Sequence, residues 1–545
     1  MSTTPATTAR HRWVGLGVLV LAVTLVAVDA TVLSLALPSV SETLDPSGTQ
    51  LLWIGDAYSF VLAGLLVSMG ALSDRIGRKR VLLVGSSAFG AASLLAAYSP
   101  SPGWLILARA LLGVAGATIM PSTLSLIRTL FPDARERATA IGIWGAGATA
   151  GAALGPLVGG ILLEHFWWGS VFLLNLPVLA LLLVLGAWLL PESRARRTGG
   201  WDVLSVLLSM AGVIGVVYAV KEFAAEGLTG WSTPAILLVG AAALVAFVRR
   251  QLALDHPLLD VRLFADRRFT AAVIASLTAL IGLSGVVFFM SQYLQLVRGY
   301  TPLTAGIAEM PAFLGAVVGG LLTARLARRA GSRATLTAGL LVMGAGIGLL
   351  GLVRGDSGYL LLGTAFLAVG TAEGVVYTLA SDLVLGAAPS DKAGAASAVS
   401  ETAYELGTAL GIALVGSVVT ALYTGSFTVP AGTDPAAAAQ AHESIGGAVE
   451  AAATLPQALG DQLLDGAKSA FVHGMNTAAW LAAGLLLLSA ALSWYLLRAR
   501  PTPAGQADVT AARRHRPSPA GGLAARAAGV RMPSCGDGGR PGWPY

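Results

Sequence analysis

The chain has 545 residues, of which 55% are hydrophobic and only 12% charged, against about a quarter charged in soluble domains. So few charges cannot clothe a water-facing surface of this size, which places the chain in a lipid bilayer; a mean hydropathy of +0.73 agrees. The net charge of +6 does not point to nucleic acid, because the Arg residues fall in short runs between apolar stretches rather than on one face, and a single cysteine (Cys535) with six scattered His leaves no disulfide and no metal-ligand set.

Apolar stretches of about 17–25 residues predict fourteen membrane helices. They lie near 13–37, 51–71, 81–99, 104–127, 139–163, 170–190, 203–222, 233–248, 269–291, 304–324, 334–353, 359–385, 395–423 and 473–497. The first follows Arg10 and Arg12 as a signal peptide would, but it is too long for such a segment and carries Asp29, so it reads as a retained helix. With the N-terminus in the cytoplasm, 30 of the 35 Lys and Arg fall on the cytoplasmic side, and only Arg298, Arg354 and Lys468 fall outside. The positive-inside rule therefore puts both termini in the cytoplasm. Residues 424–472 are Ala-rich and read as an outer loop with a surface helix, since Leu455, Leu459, Leu463 and Leu464 recur at helical spacing. Residues 501–545, rich in Pro, Gly, Ala and Arg, read as a disordered basic tail.

The spans repeat. Gly70-Ala-Leu-Ser-Asp-Arg-Ile-Gly-Arg-Lys79, after span two, aligns without gaps to Gly320-Leu-Leu-Thr-Ala-Arg-Leu-Ala-Arg-Arg329, after span ten. Pro132-Asp-Ala-Arg-Glu-Arg-Ala138 opens span five as Pro389-Ser-Asp-Lys-Ala-Gly-Ala395 opens span thirteen. The organisation read from this is a cytoplasmic N-terminus (1–12), an N-terminal six-helix bundle (13–190), a linker with two extra helices (191–268), a C-terminal six-helix bundle (269–500) and the tail. Transporters built from such halves bind substrate near the midplane between them and rock around it.

Six segments, in order and at matching spacing, make the chain resemble the major facilitator superfamily over roughly residues 13–423, and within it the fourteen-helix drug:proton antiporters of the quaternary-ammonium-efflux type. They are Asp29-Ala-Thr-Val-Leu-Ser-Leu-Ala-Leu-Pro38, Trp53-Ile-Gly-Asp-Ala-Tyr-Ser59, the Gly70–Lys79 segment, Leu107-Ala-Arg-Ala-Leu-Leu-Gly113, Gly151-Ala-Ala-Leu-Gly-Pro-Leu-Val-Gly-Gly160 and Phe166-Trp-Trp-Gly-Ser-Val-Phe-Leu-Leu-Asn-Leu-Pro177. The resemblance implies an all-α membrane protein with two pseudo-symmetric six-helix bundles and two extra helices. It also implies export of lipophilic cationic drugs, dyes or biocides from the cytoplasm, driven by proton influx and needing no cofactor.

An acid inside a span is costly unless it faces the bundle interior and finds a partner, so such residues are candidate sites. A buried carboxyl that holds either a proton or an organic cation, but not both, is the minimum machinery of antiport. Asp29 is the first candidate for both tasks; its plainer alternative is a structural carboxylate paired with Thr31 or the backbone. Asp56, near the outer end of span two, is either a substrate acid or a helix N-terminal carboxylate. Glu401 and Glu405 stack one turn apart in span thirteen and should not both ionise easily. Glu309 and Glu373 are further acids for substrate, with Tyr58, Tyr377 and Tyr404 as aromatic faces for planar cations. By resemblance Arg109 assists proton transfer; otherwise it is a structural hub. Asp74 and Arg75, with Gly70, Gly77 and Arg78, read as a conformational latch. Asp74 would dock on the N-terminus of a helix from the other half, and Ala324 in the second copy makes the latch one-sided. Gly151, Gly155, Pro156 and Gly159 form a spine that allows close helix approach and, by resemblance, favours export.

The nearest string to a P-loop, Gly466-Ala-Lys-Ser469, lacks the Gly beside Lys, so energy comes from an ion gradient rather than ATP. No nucleophile–base constellation suggests an enzyme. The expected partners are small lipophilic cations, protons and the bilayer, with the chain a monomer in the cytoplasmic membrane. Two rival readings stand: an exporter dedicated to one antibiotic or metabolite, and a non-transporting membrane receptor or lipid-handling protein.

Overall fold

A computed structural model describes residues 9–194, 202–226, 231–255, 257–355, 357–389 and 392–498. The basic tail from residue 501 and the first eight residues lie outside them. The described chain is helical: α1 (Ala9–Leu44), α2 (Gly48–Ile76), α3 (Arg78–Ala97), α4 (Pro102–Leu130), α5 (Ala134–His165), α6 (Ser170–Leu173), α7 (Asn175–Leu189), α8 (Val203–Glu226), α9 (Ser232–Ala253), α10 (Arg267–Gln292), α11 (Pro302–Leu350), α12 (Tyr359–Ala387), α13 (Ala393–Ser426), α14 (Pro435–Glu443), α15 (Ile445–Thr454) and α16 (Gln457–Leu496). Helix starts follow local chemistry. Ser47 and Gln50 form a reciprocal capping box for α2, Asp133 caps α5, and Pro102 and Pro302 occupy first-turn positions where no amide hydrogen is needed.

Among the described residues, thirteen helical stretches are long and apolar enough to cross a membrane, with α6 and α7 forming one of them. The longest, α11, has 49 residues and turns at Gly331 (φ 79°, ψ 155°), a backbone conformation suited to glycine. A straight helix of that length would run about 73 Å, more than twice the hydrocarbon thickness. Its two arms are therefore two crossings, so the described residues supply fourteen.

Two boundaries differ from the sequence expectation. The segment 70–79 is not a loop: α2 continues to Ile76 and α3 begins at Arg78, leaving Gly77 (φ 128°) as the only joint. The segment 424–472, expected to be an outer loop, is largely helical, with α14 and α15 packed on the end of the second half. Tyr423 donates from its hydroxyl to the Ala441 carbonyl at 2.7 Å. Leu459, Leu463 and Leu464 belong to the first turns of α16, which runs 40 residues into the last span.

Helices α1–α7 pack around one apolar core and α10–α16 around another. The extra pair α8 and α9 pack together, and α8 also touches both α2 and α13. The repeat is visible where the halves cross. Gly70 of α2 meets α13 so closely that a Cβ would stand 2.4 Å from the Gly394 carbonyl oxygen. Gly320 of α11 meets α5 in the same way, with a Cβ on Gly142 placed 2.4 Å from the Gly320 oxygen. The second crossing lies two turns inside α5, whereas the first lies at the start of α13.

Candidate functional site

The acid of α1 is held inside the first half. Asp29 is fully buried and accepts from Arg109 Nη1 at 3.2 Å and from Asn175 Nδ2 at 2.8 Å. Arg109 also donates from Nε to the Ile54 carbonyl at 3.3 Å and lies 4.7 Å over the Tyr58 ring. Asn175 shares its amide with Ser93 Oγ at 3.0 Å. The glycine spine makes this possible. A Cβ on Gly151 would stand 2.5 Å from the Thr24 oxygen, and one on Gly155 would stand 2.0 Å from Thr31 Oγ1, so α5 lies directly against α1. Gly159 is buried on the same helix, which also carries Pro156. Thr31 donates to the Ala27 and Val28 carbonyls of its own helix, and the partner of Asp29 is a guanidinium.

The acids of the second half are held differently. Glu401 is fully buried; the Tyr377 hydroxyl donates to its Oε1 at 3.2 Å, while Oε2 has no partner. Glu309, on α11, is half-buried with Oε1 unpaired. Glu373 and Glu405 are half-buried, and no salt bridge to Lys or Arg reaches any of these four glutamates among the described residues. Tyr404 packs edge-on to Tyr377, with ring centroids 5.0 Å apart.

Asp56 and Glu405 come together. They line one cavity of about 210 Å³ with Ser59, Phe60 and Ala63 of α2, Thr408, Ala409 and Ile412 of α13, and Val213, Ile214 and Val217 of α8. Two acids among apolar walls match the chemistry of a lipophilic cation site. Tyr58 is elsewhere, buried against Arg109 and Gly116, so it does not line this cavity. The α8 wall carries no motif and went unmarked in the sequence.

At the far end of α2 the halves are clasped. Asp74 is fully buried and accepts from the Gly394 and Ala395 amides at the N-terminus of α13, at 2.9 and 3.1 Å. Its cation is Arg78, at 3.0 Å from Nε and 2.8 Å from Nη2; Arg75 is exposed. A second clasp was not anticipated: Arg137 of α5 pairs with Asp382 of α12 at 2.8 Å, and Arg128 of α4 donates to the Leu385 and Ala388 carbonyls at the end of α12. Arg128 and Arg137 read only as loop charges in the sequence. Position 324 has no latch: Ala324 is buried but carries no acceptor, and the neighbouring Gly320 crosses α5 at Gly142, two turns in from its start. At the same end the extra helices are joined by Asp202 and Arg250, at 2.8 and 3.0 Å. The Arg250 bonds, then those from Ser205, hold the Asp202 carboxyl at about 2.

Comparison with known proteins agrees with this architecture. The chain is 46% identical to the multidrug efflux pump LfrA of Mycolicibacterium smegmatis, over 90% of this chain and 97% of that one. It is 39% identical to the methyl viologen resistance protein SmvA of Salmonella typhimurium, over 89% and 98%. The human organic anion transporter MFSD10 (TETRAN) shares the fold at a TM-score of 0.59 and 16% identity, over 88% of this chain and 99% of that one. The family model described as Major Facilitator Superfamily matches residues 19–412. With that match across both repeated halves, the chain belongs to the major facilitator superfamily and is a multi-pass membrane transporter of small molecules.

Proposed function

We propose that the protein is a proton-coupled antiporter that exports lipophilic, mostly cationic drugs, dyes or biocides across the cytoplasmic membrane, as a monomer with both termini inside and with no cofactor beyond the proton gradient. The observation that carries this reading is the seam between the halves. Among the described residues no salt bridge reaches Glu401 or Glu405 there, and Glu405 shares an apolar cavity with Asp56. An ionised carboxylate is costly in such a place, and either a proton or an organic cation relieves the cost. One site that takes either cargo, in halves that open to one side at a time, exchanges them. The names of the relatives, a multidrug efflux pump and a methyl viologen resistance protein, support the substrate class. With the positive-inside orientation, both clasps lie on the cytoplasmic side, and the arrangement seen is the one closed towards the cytoplasm.

The test is ethidium extrusion from cells or inverted vesicles carrying the protein. Export should stop when an uncoupler abolishes the proton gradient; undiminished export would sink the antiport reading. A susceptibility panel with and without the protein separates multidrug export from export of one antibiotic.

A further inference from the structure

Tyr377 belongs to α12, in the second half, yet its ring is buried among side chains of the first. It stacks on Trp144 of α5, with centroids 6.0 Å apart and planes 11° apart. Gly145 leaves room for it, since a Cβ there would stand 3.3 Å from the ring. Trp144 is fully buried and fixed by Thr123 Oγ1, which accepts from its Nε1 at 3.2 Å. The Tyr377 hydroxyl meanwhile donates to Glu401, the buried acid with one orphaned oxygen. A single side chain thus joins an acid of one half to the aromatic core of the other.

Among the described residues, the surroundings of Glu401 supply no counter-charge. On its own helix Glu405 follows one turn later, and α12 adds Glu373 and the Asp382 already paired with Arg137. From α4, Arg109 is taken by Asp29 and Arg128 by the α12 carbonyls. On α2, Asp74 is held by Arg78 and Asp56 lies in the cavity wall. The charged groups of α8 and α10 lie in their terminal turns, and those of α16 precede residue 474. A bare carboxylate at Glu401 would therefore be buried unpaired, which is strongly unfavourable.

We propose that Tyr377 is a positioning residue that lets the halves close only when Glu401 is neutral, and so prevents the empty carrier from cycling. This rests on the antiport reading. With a proton on Glu401, or an organic cation beside it, the hydroxyl keeps its place and the ring seats on Trp144. When the proton leaves to water in the open cavity, the carboxylate draws water and the hydroxyl towards itself, and the ring unseats.

Tyr377→Phe tests this in proteoliposomes, because it keeps the ring and removes only the tether. Two readouts are needed: downhill ethidium exchange across a pH series, and uphill export driven by a proton gradient. In the wild type, exchange at low dye should fall as pH rises. In Tyr377→Phe that dependence should flatten, proton leak without dye should appear, and uphill export should fall about tenfold while exchange persists. Glu401→Gln, permanently neutral, should show the same flat profile. If Tyr377→Phe fails to assemble, Trp144→Leu, which keeps the hydroxyl and removes its seat, should flatten the profile equally. A wild-type pH profile with full coupling in these variants overturns the proposal. Uphill export by the wild type that ignores the gradient would instead overturn the antiport reading itself.

Discussion

Replacing Asp74 by Asn removes the charge from the first clasp and keeps its shape. Asp74 accepts four bonds, two from Arg78 in its own half and two from the Gly394 and Ala395 amides across the seam. The Arg78 bonds persist whichever way the halves lean, so they largely cancel; the two amide bonds exist only in the closed arrangement. A hydrogen bond to a charged group is worth about 1.5–3 kcal/mol and a neutral one about 1 kcal/mol. Asn retains one acceptor oxygen, so one bond across the seam is lost and the other becomes neutral. The cost to closure is about 2–5 kcal/mol, which is about 30- to 4,000-fold in the ratio of the two arrangements. Spin labels at the exposed positions Arg135 and Gly386, on opposite halves at this end, report that ratio as a distance distribution, in a Cys535→Ser background. The long-distance population should grow at the expense of the short one. An unchanged distribution in a variant that still melts cooperatively would refute the reasoning.

Removing the guanidinium of Arg109 with Arg109→Ala strands Asp29 and should destabilise the protein by about 3–5 kcal/mol; adding Asp29→Asn should restore most of that, which thermal melts in detergent can follow. Asp29→Asn alone should fold and lose most uphill export, read as ethidium extrusion. Gly142→Val forces a side chain against the Gly320 carbonyl, so the halves should fail to close at this end; export should stop while dye binding by fluorescence anisotropy remains. Asp202 has a folded value of about 2 against 3.8 for the free group, so its bonds stabilise the protein above about pH 4 and lose that effect as pH falls towards 2. The melting difference between wild type and Asp202→Asn should be constant above that window and vanish below it.

The spans, their number and the duplicated halves were legible because bilayer thickness sets helix length and loop residues break it. Contacts were less so. A membrane helix is apolar on the side that meets lipid and on the side that meets protein, so spacing alone does not tell which face carries a partner. Asp29 stood out as a charge, but its placement against Arg109 and Asn175 depends on α5 lying directly on α1, a consequence of glycines visible only as a pattern. The Gly70–Lys79 segment looked like a loop because it is charged. It is helix on both sides of Gly77, with Asp74 and Arg78 satisfied at the buried interface while Arg75 stays exposed. Arg128 and Arg137 were hidden by the same property that oriented the chain: they counted as loop positives, while in the structure they grip the end of α12.

The position of α8 has a consequence for how such a protein diversifies. Its Val213, Ile214 and Val217 shape the cavity that holds Asp56 and Glu405, yet α8 lies outside the duplicated halves and contributes to neither clasp. Substitutions there can reshape the cargo chamber without disturbing the acids, arginines and glycines that drive the cycle. Cargo preference can drift on one helix while the engine is inherited unchanged.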